Sequence, residues 1–295
     1  MTEKKIKRRR LGDRYEGRRI RSLSPMTYVS PYIMVNRGGA SNLIKDTVVL
    51  DDLEHYIAKK RQEGLKGFGI MYVFIAAYIR AVSQYPGINR FISGQKIFAR
   101  RNIQIVIDIK KKMELNAQNT TIKVTLSPED TVYDVYEKFT KEFANNRIDE
   151  EVSSFDATAR VLSYVPGIFL KFTVWLLKLL DYFGLVPKFL INLSPFHASM
   201  FITSMGSLGI PPIYHHLYDF GNIPVFLALG TKKNEIYLTR DGVVDERKVM
   251  DFTVVTDERI CDGHYFAAAL KYIKDCIKNP ELLDEPPSEV VEDVE

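Results

Sequence analysis

The chain has 295 residues, 46% of them hydrophobic and 26% charged, an ordinary globular composition with room for one large domain or two small ones. The net charge of +4 is spread unevenly, with a basic stretch over residues 4–21 (KKIKRRRLGDRYEGRRIR) and an acidic end, DEPPSEVVEDVE. The basic stretch lacks the interleaved aromatics that stack bases, so no nucleic-acid partner is expected. The two cysteines, Cys261 and Cys276, give neither a disulfide framework nor a metal spacing. No metal site is expected, and a reducing cytoplasm is the expected location. No apolar run backs the N-terminal charges as a signal peptide would require.

Like charges repel and leave little to bury, so both ends are expected to be partly disordered: a basic arm over 1–17 and an acidic tail over 284–295. Between them, residues 18–283 are expected to form one domain. DDLEHYIAKKRQEG opens on aspartates suited to an N-cap and closes on Gly64, which predicts a helix. IMYVFIAAYIRAVSQYPG predicts a strongly apolar helix that stops at Pro86. FISGQKIF carries a Ser-Gly turn between apolar flanks, and NIQIVIDI places Ile103, Ile105, Ile107 and Ile109 on one side of a strand. TTIKVTL predicts another strand. SPEDTVYDVYEKFTKEF predicts a helix with a capping box from Ser127 to Asp130 and apolar repeats at Val132, Val135 and Phe139.

Residues 161–193 are the most apolar stretch. Lys171, Lys178 and Asp181 interrupt it, and Pro166 and Pro187 bracket its centre. At helical spacing the two lysines share a face with Asp181 one turn on, an amphipathic helix with a narrow polar stripe. The reading preferred from the sequence buries this helix against the core or another subunit. Peripheral membrane contact through 161–193 is the alternative. A span is disfavoured by the charges. Further on, FITSMGSLG, PVFLALG, EIYLTRDGVVD and DFTVVT predict strands, with a hairpin at Asp241-Gly242. A last helix buries Phe266, Ala269, Leu270 and Ile273. Hairpins without tidy single-helix crossovers predict α/β architecture with helices packed on a mixed sheet.

Three places hold candidate chemistry. In TDERICDGHYF, Asp262 is placed to cap the last helix and Gly263 to ease the turn, which leaves Glu258 and Arg259 as loop charges or as reactive groups. In ITSMGSLGI, Thr203 and Ser204 stand beside a Gly-rich turn that can serve a developing oxyanion or simply link two strands. In YHHLYDFG, His215 and His216 are adjacent, and on a strand they would face opposite ways. His55 and His197 have no evident chemical company, and Cys261 has no evident base.

Taken together, YIRAVSQYPGINRFISGQKIF with NIQIVIDI, then FITSMGSLG, PVFLALG and DFTVVTDERICDGHYFAAAL, resemble the catalytic domain of the dihydrolipoyl acyltransferases of 2-oxoacid dehydrogenase complexes and the related chloramphenicol acetyltransferases. The resemblance runs from about Arg18 to Leu283. Its most specific part is the family's D-H-R-x-x-D-G or H-H-x-x-x-D-G, which stands here as Asp257, Glu258, Arg259, Ile260, Cys261, Asp262, Gly263. The resemblance implies a two-layer sandwich with a mixed sheet, chloramphenicol acetyltransferase-like, assembled as a homotrimer with active sites between subunits. It also implies coenzyme A as acyl-CoA substrate, and a small molecule or a lipoyl group supplied in trans as acceptor. No covalent lipoyl group is expected on this chain.

Carried over, Asp262 is the acid that orients the site through an ion pair with Arg21 or Arg19, and Thr203 or Ser204 is the oxyanion donor. Glu258 stands where the family has its histidine base. A free Glu near pH 4.3 faces a thiol near 8.5, a gap of about four units or roughly 6 kcal/mol of proton transfer. Burial of the Glu can close part of it, or His215, His216 or His264 can be recruited. Otherwise the chain is a non-catalytic acyl-CoA-binding or scaffold relative.

Overall fold

The alternating apolar residues of 103–107 and 249–257 become the interior of a six-stranded sheet. In this computed structural model, residues 10–110, 119–148 and 163–295 are described. The sheet has the order β2 (Ser41–Val49), β9 (Val244–Asp257), β8 (Val225–Leu238), β7 (Met200–Ser204), β5 (Ile103–Lys110), β6 (Asn119–Leu126). The β5–β7 and β7–β8 pairs are parallel and the others antiparallel, a mixed sheet. A second, three-stranded sheet pairs β1 (Gly17–Arg19), β4 (Lys96–Arg100) and β3 (Arg90–Ser93).

The helices α2 (Asp51–Gln62), α3 (Ile70–Gln84), α4 (Val132–Ile148) and α7 (Gly263–Lys278) build the second layer. Every residue of α3 from Tyr72 to Ser83 is buried. A helix apolar on all sides needs neighbours on all sides, and α3 has the sheet beneath it, where Phe74 meets Phe252 edge-on at 5.4 Å, and α4 and α7 beside it. The opposite face of the sheet carries Val106, Phe201, Phe226 and Val255, covered by Leu217 and Ile223. This is the two-layer α/β sandwich with a mixed sheet, and the helices fall close to where periodicity places them.

Local details differ from expectation. The aspartates of α2 lie inside its first turn rather than at its cap, which is Leu50; there their charge still complements the helix dipole. Ser127 and Asp130 form a turn ahead of α4. The reciprocal box belongs to the next pair, with Thr131 N–H on Asp134 at 2.8 Å and Asp134 N–H on Thr131 Oγ1 at 3.3 Å. VFLALG and EIYL are one strand, β8, and Val244 and Asp245 join DFTVVT in β9, with a register shift between Leu229 and Lys232.

Both ends are more tightly held than their charge suggests. Residues 1–9 lie outside the described residues, but Asp13, Arg14 and Glu16 are buried. The acidic tail docks rather than dangling. Arg90 grips Asp293 through Nε at 2.8 Å and Nη2 at 2.5 Å, Arg18 donates to the carbonyls of Asp293 and Val294 at 2.9 Å, and Val291 N–H meets Ser83 O at 2.8 Å. Arg90 thus neutralises Asp293, and Lys60 takes Asp284 at 2.6 Å, which lessens the repulsion among the tail carboxylates.

The apolar stretch forms α5 (Gly167–Phe183) and α6 (Lys188–Leu193). No residue of α5 is buried, which corrects burial of this helix in the core. Asp181, expected on a polar stripe with Lys171 and Lys178, points inward to Arg14 at 3.3 Å, with Arg14 also donating to Tyr182 O at 2.8 Å. Gly94 permits the close approach: at φ +53° any Cβ there would sit 2.2 Å from Tyr182 O. Among the described residues, no helix is long and apolar enough to cross a membrane.

Lys123 of β6 ties down the far end of this excursion, donating to Ile191 O at 2.9 Å and Ser194 O at 3.1 Å. Burial, with the charge of Arg100 behind it, pulls this amine down to about 7. Between pH 7 and 10.5 the unfolded chain therefore binds a proton that the folded chain lacks, so this group's contribution to stability rises with pH and is lost as pH falls toward 7. In urea unfolding, Lys123→Met is expected to flatten the rise in unfolding free energy between pH 7 and 10.

Candidate active site

β9 runs between β2 and β8 and ends at the DERICDG corner. Its neighbours hold the corner through the backbone: Asp257 N–H donates to Pro224 O and Glu258 N–H to Ala40 O, each at 2.9 Å. The side chains then alternate in depth. Asp257 and Arg259 are 1% and 4% exposed, while Glu258 between them is open to solvent. Asp257 takes the Arg259 fork at 2.7 and 2.6 Å, with Arg37 Nε at 3.8 Å. Arg259 Nη1 also donates to Met34 O at 2.7 Å, and Arg37 to Tyr218 O at 2.8 Å and Ile92 O at 3.2 Å. Bidentate geometry is what lets an ion pair offset its loss of hydration.

Asp262 is exposed and caps α7, accepting from Tyr265 N–H at 2.8 Å, as its place before the helix predicts. Its expected arginine is elsewhere: Arg21 lies 3.6 Å from Asp13, and the Arg19 N–H donates to the same Asp13. The buried Asp–Arg pair of this corner is Asp257 with Arg259, which the resemblance did not single out. Cys261 is buried, and burial pushes its thiol up to about 12, which suits packing and not nucleophilic attack. A link missed in the sequence comes from the tail: Arg90, held by Asp293, donates Nη1 to Ile260 O at 3.2 Å.

Thr203 and Ser204 end β7, with Thr203 half-buried and Ser204 exposed. Ser204 Oγ accepts from Gly206 N–H at 3.4 Å, and Gly209 takes φ +67° in the turn that follows. Ser204 is level with Leu229 on β8, whereas the Glu258 corner is level with Pro224. Five residues of strand at about 3.3 Å each separate the two sites by about 17 Å along the sheet. Within one chain they do not meet.

His215 and His216 are not on a strand, so they do not face apart. Their rings stack at 4.7 Å, His215 lies on Phe226 at 4.0 Å, and His215 Nδ1 bonds His216 O at 2.8 Å. Burial lowers the His215 pKa, which favours the neutral ring. His264 is exposed at the start of α7. His197, which lacked company in the sequence, is buried with Nδ1 2.8 Å from Ser194 Oγ and Nε2 3.7 Å from Asp181. Burial alone would raise the Asp181 carboxyl, but His197, Arg14 and Arg37 outweigh it and hold it below the usual range. Its partners lie far away in the chain, so only the break that Asp181 makes in an apolar helix could have signalled this cluster. Behind the corner, a polar cavity of about 430 Å³ is lined by Arg37, Arg259, Ser93, Lys178, Asp181 and Asp219 among others. Among the described residues, no cluster of three or more His, Cys, Asp or Glu side chains could hold a metal.

Residues 198–284, from the approach to β7 through α7, match the model of the 2-oxoacid dehydrogenases acyltransferase (catalytic domain). A probable dihydrolipoamide acetyltransferase from Listeria monocytogenes 4b F2365 superposes with a TM-score of 0.56 at 15% identity, over 86% of this chain and 88% of that one. The fold is that of the acyltransferase catalytic domain. The dihydrolipoamide acetyltransferase of Azotobacter vinelandii gives 0.55 at 10% identity over 89% and 93%, and a chloramphenicol acetyltransferase gives 0.50 at 14% over 85% and 94%. The Azotobacter structure concerns the role of a serine, a histidine and an asparagine in that enzyme's mechanism. No curated protein matches this chain in sequence. On this acyltransferase fold the DERICDG corner falls inside the matched segment and the hydroxyls of β7 near its start.

The two acids of the corner are expected to separate by role in a stability measurement. Asp257→Asn leaves Arg259 and Arg37 buried without their counter-charge and is expected to cost about 3–5 kcal/mol. Glu258→Gln, at an exposed position, is expected to stay within about 0.5 kcal/mol of wild type in the same urea titration.

Proposed function

We propose that the chain is a coenzyme A-dependent acyltransferase whose working site is completed between copies, as in a homotrimer. The observation that carries this reading is Glu258. It is exposed between two buried residues, Asp257 and Arg259, at the position where the motif of the resembled family has its base. The register separation supports the second half: a base and an oxyanion donor about 17 Å apart along one sheet can serve one reaction only if a second copy brings its own.

In this reading Glu258 of one copy takes the proton of a thiol or hydroxyl acceptor. The acceptor attacks the carbonyl of the acyl-CoA thioester, Thr203 or Ser204 of the facing copy donates to the oxyanion, and the coenzyme A thiolate leaves and is reprotonated. The acceptor is a small molecule or a lipoyl group carried by another chain. Asp262 keeps Glu258 in place by capping α7. His215 and His216 take a supporting place at most, since they are engaged with each other and with Phe226.

One observation favours a second reading, a relative that binds acyl-CoA without turning it over: the base is a carboxylate that lies exposed in the single chain. Acetyl transfer from acetyl-CoA to a panel of thiols and alcohols separates the two. Catalysis by the carboxylate predicts a loss of about 10²–10⁴-fold in Glu258→Gln, with a further loss when Ser204→Ala and Thr203→Val are combined. An inert wild type that gains activity as Glu258→His would sink the enzyme reading and leave the binding one.

A further inference from the structure

The helix α5 is built upside down for a globular protein. Its one carboxylate, Asp181, is turned inward to Arg14 and His197, while Ile168, Phe172, Trp175, Leu179 and Phe183 share the outward arc. Their exposures run from 39% to 76%, along a helix about 25 Å long. The orientation is fixed by the fold, since Arg14 and Ser93 both reach Asp181 and Gly94 admits the helix end. A contiguous apolar face of this size does not stay bare.

We propose that this face docks on an anionic lipid surface, with α5 lying in the plane of the headgroups. Two observations select lipid over a protein partner. First, Lys171 and Lys178, seven residues apart, run along one edge of the apolar arc, the pattern of a helix lying in a headgroup plane, with cations beside a face of Trp, Phe and Leu. Second, the basic N-terminal stretch enters the fold beside this same helix: Arg14 donates to Tyr182 O, and Lys188 sits over the ring of Tyr15 at 4.5 Å. An apolar arc edged by lysines, with Lys188 of α6 beside it, supplies the apolar and the electrostatic attraction that stable peripheral anchoring requires. An aromatic pair, Phe172 and Trp175 at 5.7 Å, lies mid-face where amphipathic rings favour the headgroup boundary.

Trp175 is the only tryptophan of the chain, so its fluorescence reports the face directly. The full-length protein is titrated with vesicles of phosphatidylcholine alone and of phosphatidylcholine with phosphatidylserine, and flotation is followed in parallel. The expected result is a blue shift of Trp175 and flotation with the anionic vesicles. Partitioning is expected to weaken at least tenfold in Phe172→Asp/Leu179→Asp, and to weaken in Lys171→Glu/Lys178→Glu and at high salt. The substituted residues are all exposed, and an unchanged circular dichroism spectrum shows that folding is intact. Absence of flotation with anionic vesicles overturns the proposal. So does a Trp175 emission that is already blue-shifted without lipid and moves to the red on dilution, which would assign the face to a second copy of the chain. Acyl transfer does not enter the readout, so the outcome is independent of the function proposed above.

Discussion

The DERICDG corner depends on one buried ion pair, the Arg259 fork on the Asp257 carboxylate. β9 ends there, and the chain must leave the sheet, reverse and enter α7 within five residues. The pair closes a short loop of its own, because Asp257 also accepts the Arg259 N–H at 3.2 Å. Arg259 then reaches across to Met34 and Val35, and Arg37 to Tyr218 and Ile92. Four distant stretches of chain therefore meet on one carboxylate. The desolvation of these groups is a large cost, which the bidentate Arg259–Asp257 pair and the carbonyls taken by both arginines offset. The consequence is that Glu258, flanked by two immobilised residues, is presented to solvent without freedom to retreat.

The same logic explains why sequence periodicity located the strands better than it located the charges. Strands β5, β7 and β9 and helices α3 and α7 follow from local apolar spacing, which burial against a sheet enforces. Asp262 as an N-cap was legible for a similar reason: the bond is made three residues away. The capping box of α4 was misplaced because Ser127/Asp130 and Thr131/Asp134 have the same spacing, and only the entry angle of the chain chooses between them. Strands β8 and β9 looked interrupted because their outer halves, beyond the register shift, stand largely clear of the sheet and lose the apolar pattern.

What was not legible rests on long-range pairing. Asp181 was placed on one polar stripe with Lys171 and Lys178 because helical spacing puts the three side by side. Its partner Arg14 lies 167 residues upstream, in a stretch whose charge density suggested disorder. Arg90 and Asp293 were opaque for the same reason: 203 residues apart, each looks like an ordinary residue until its partner arrives. The D-x-R-x-x-D-G spacing of the corner was legible because it is local, even with Glu258 in the place where the resembled family has histidine.

The corner is also braced from outside the family-matched segment on two sides. On one, Arg90 links Ile260 O to Asp293 of the tail. On the other, Arg37 stands between Asp257 and the cavity that Asp181 and Lys178 of α5 help to line. These braces differ in kind. The tail contact is a closed bidentate pair that immobilises the loop carbonyl two residues from Glu258. The α5 side is open, polar and adjacent to a helix whose outer face is unsatisfied in the single chain. Glu258 thus stands on a corner that is closed by a bidentate pair on the tail side and faces an open cavity on the side of α5.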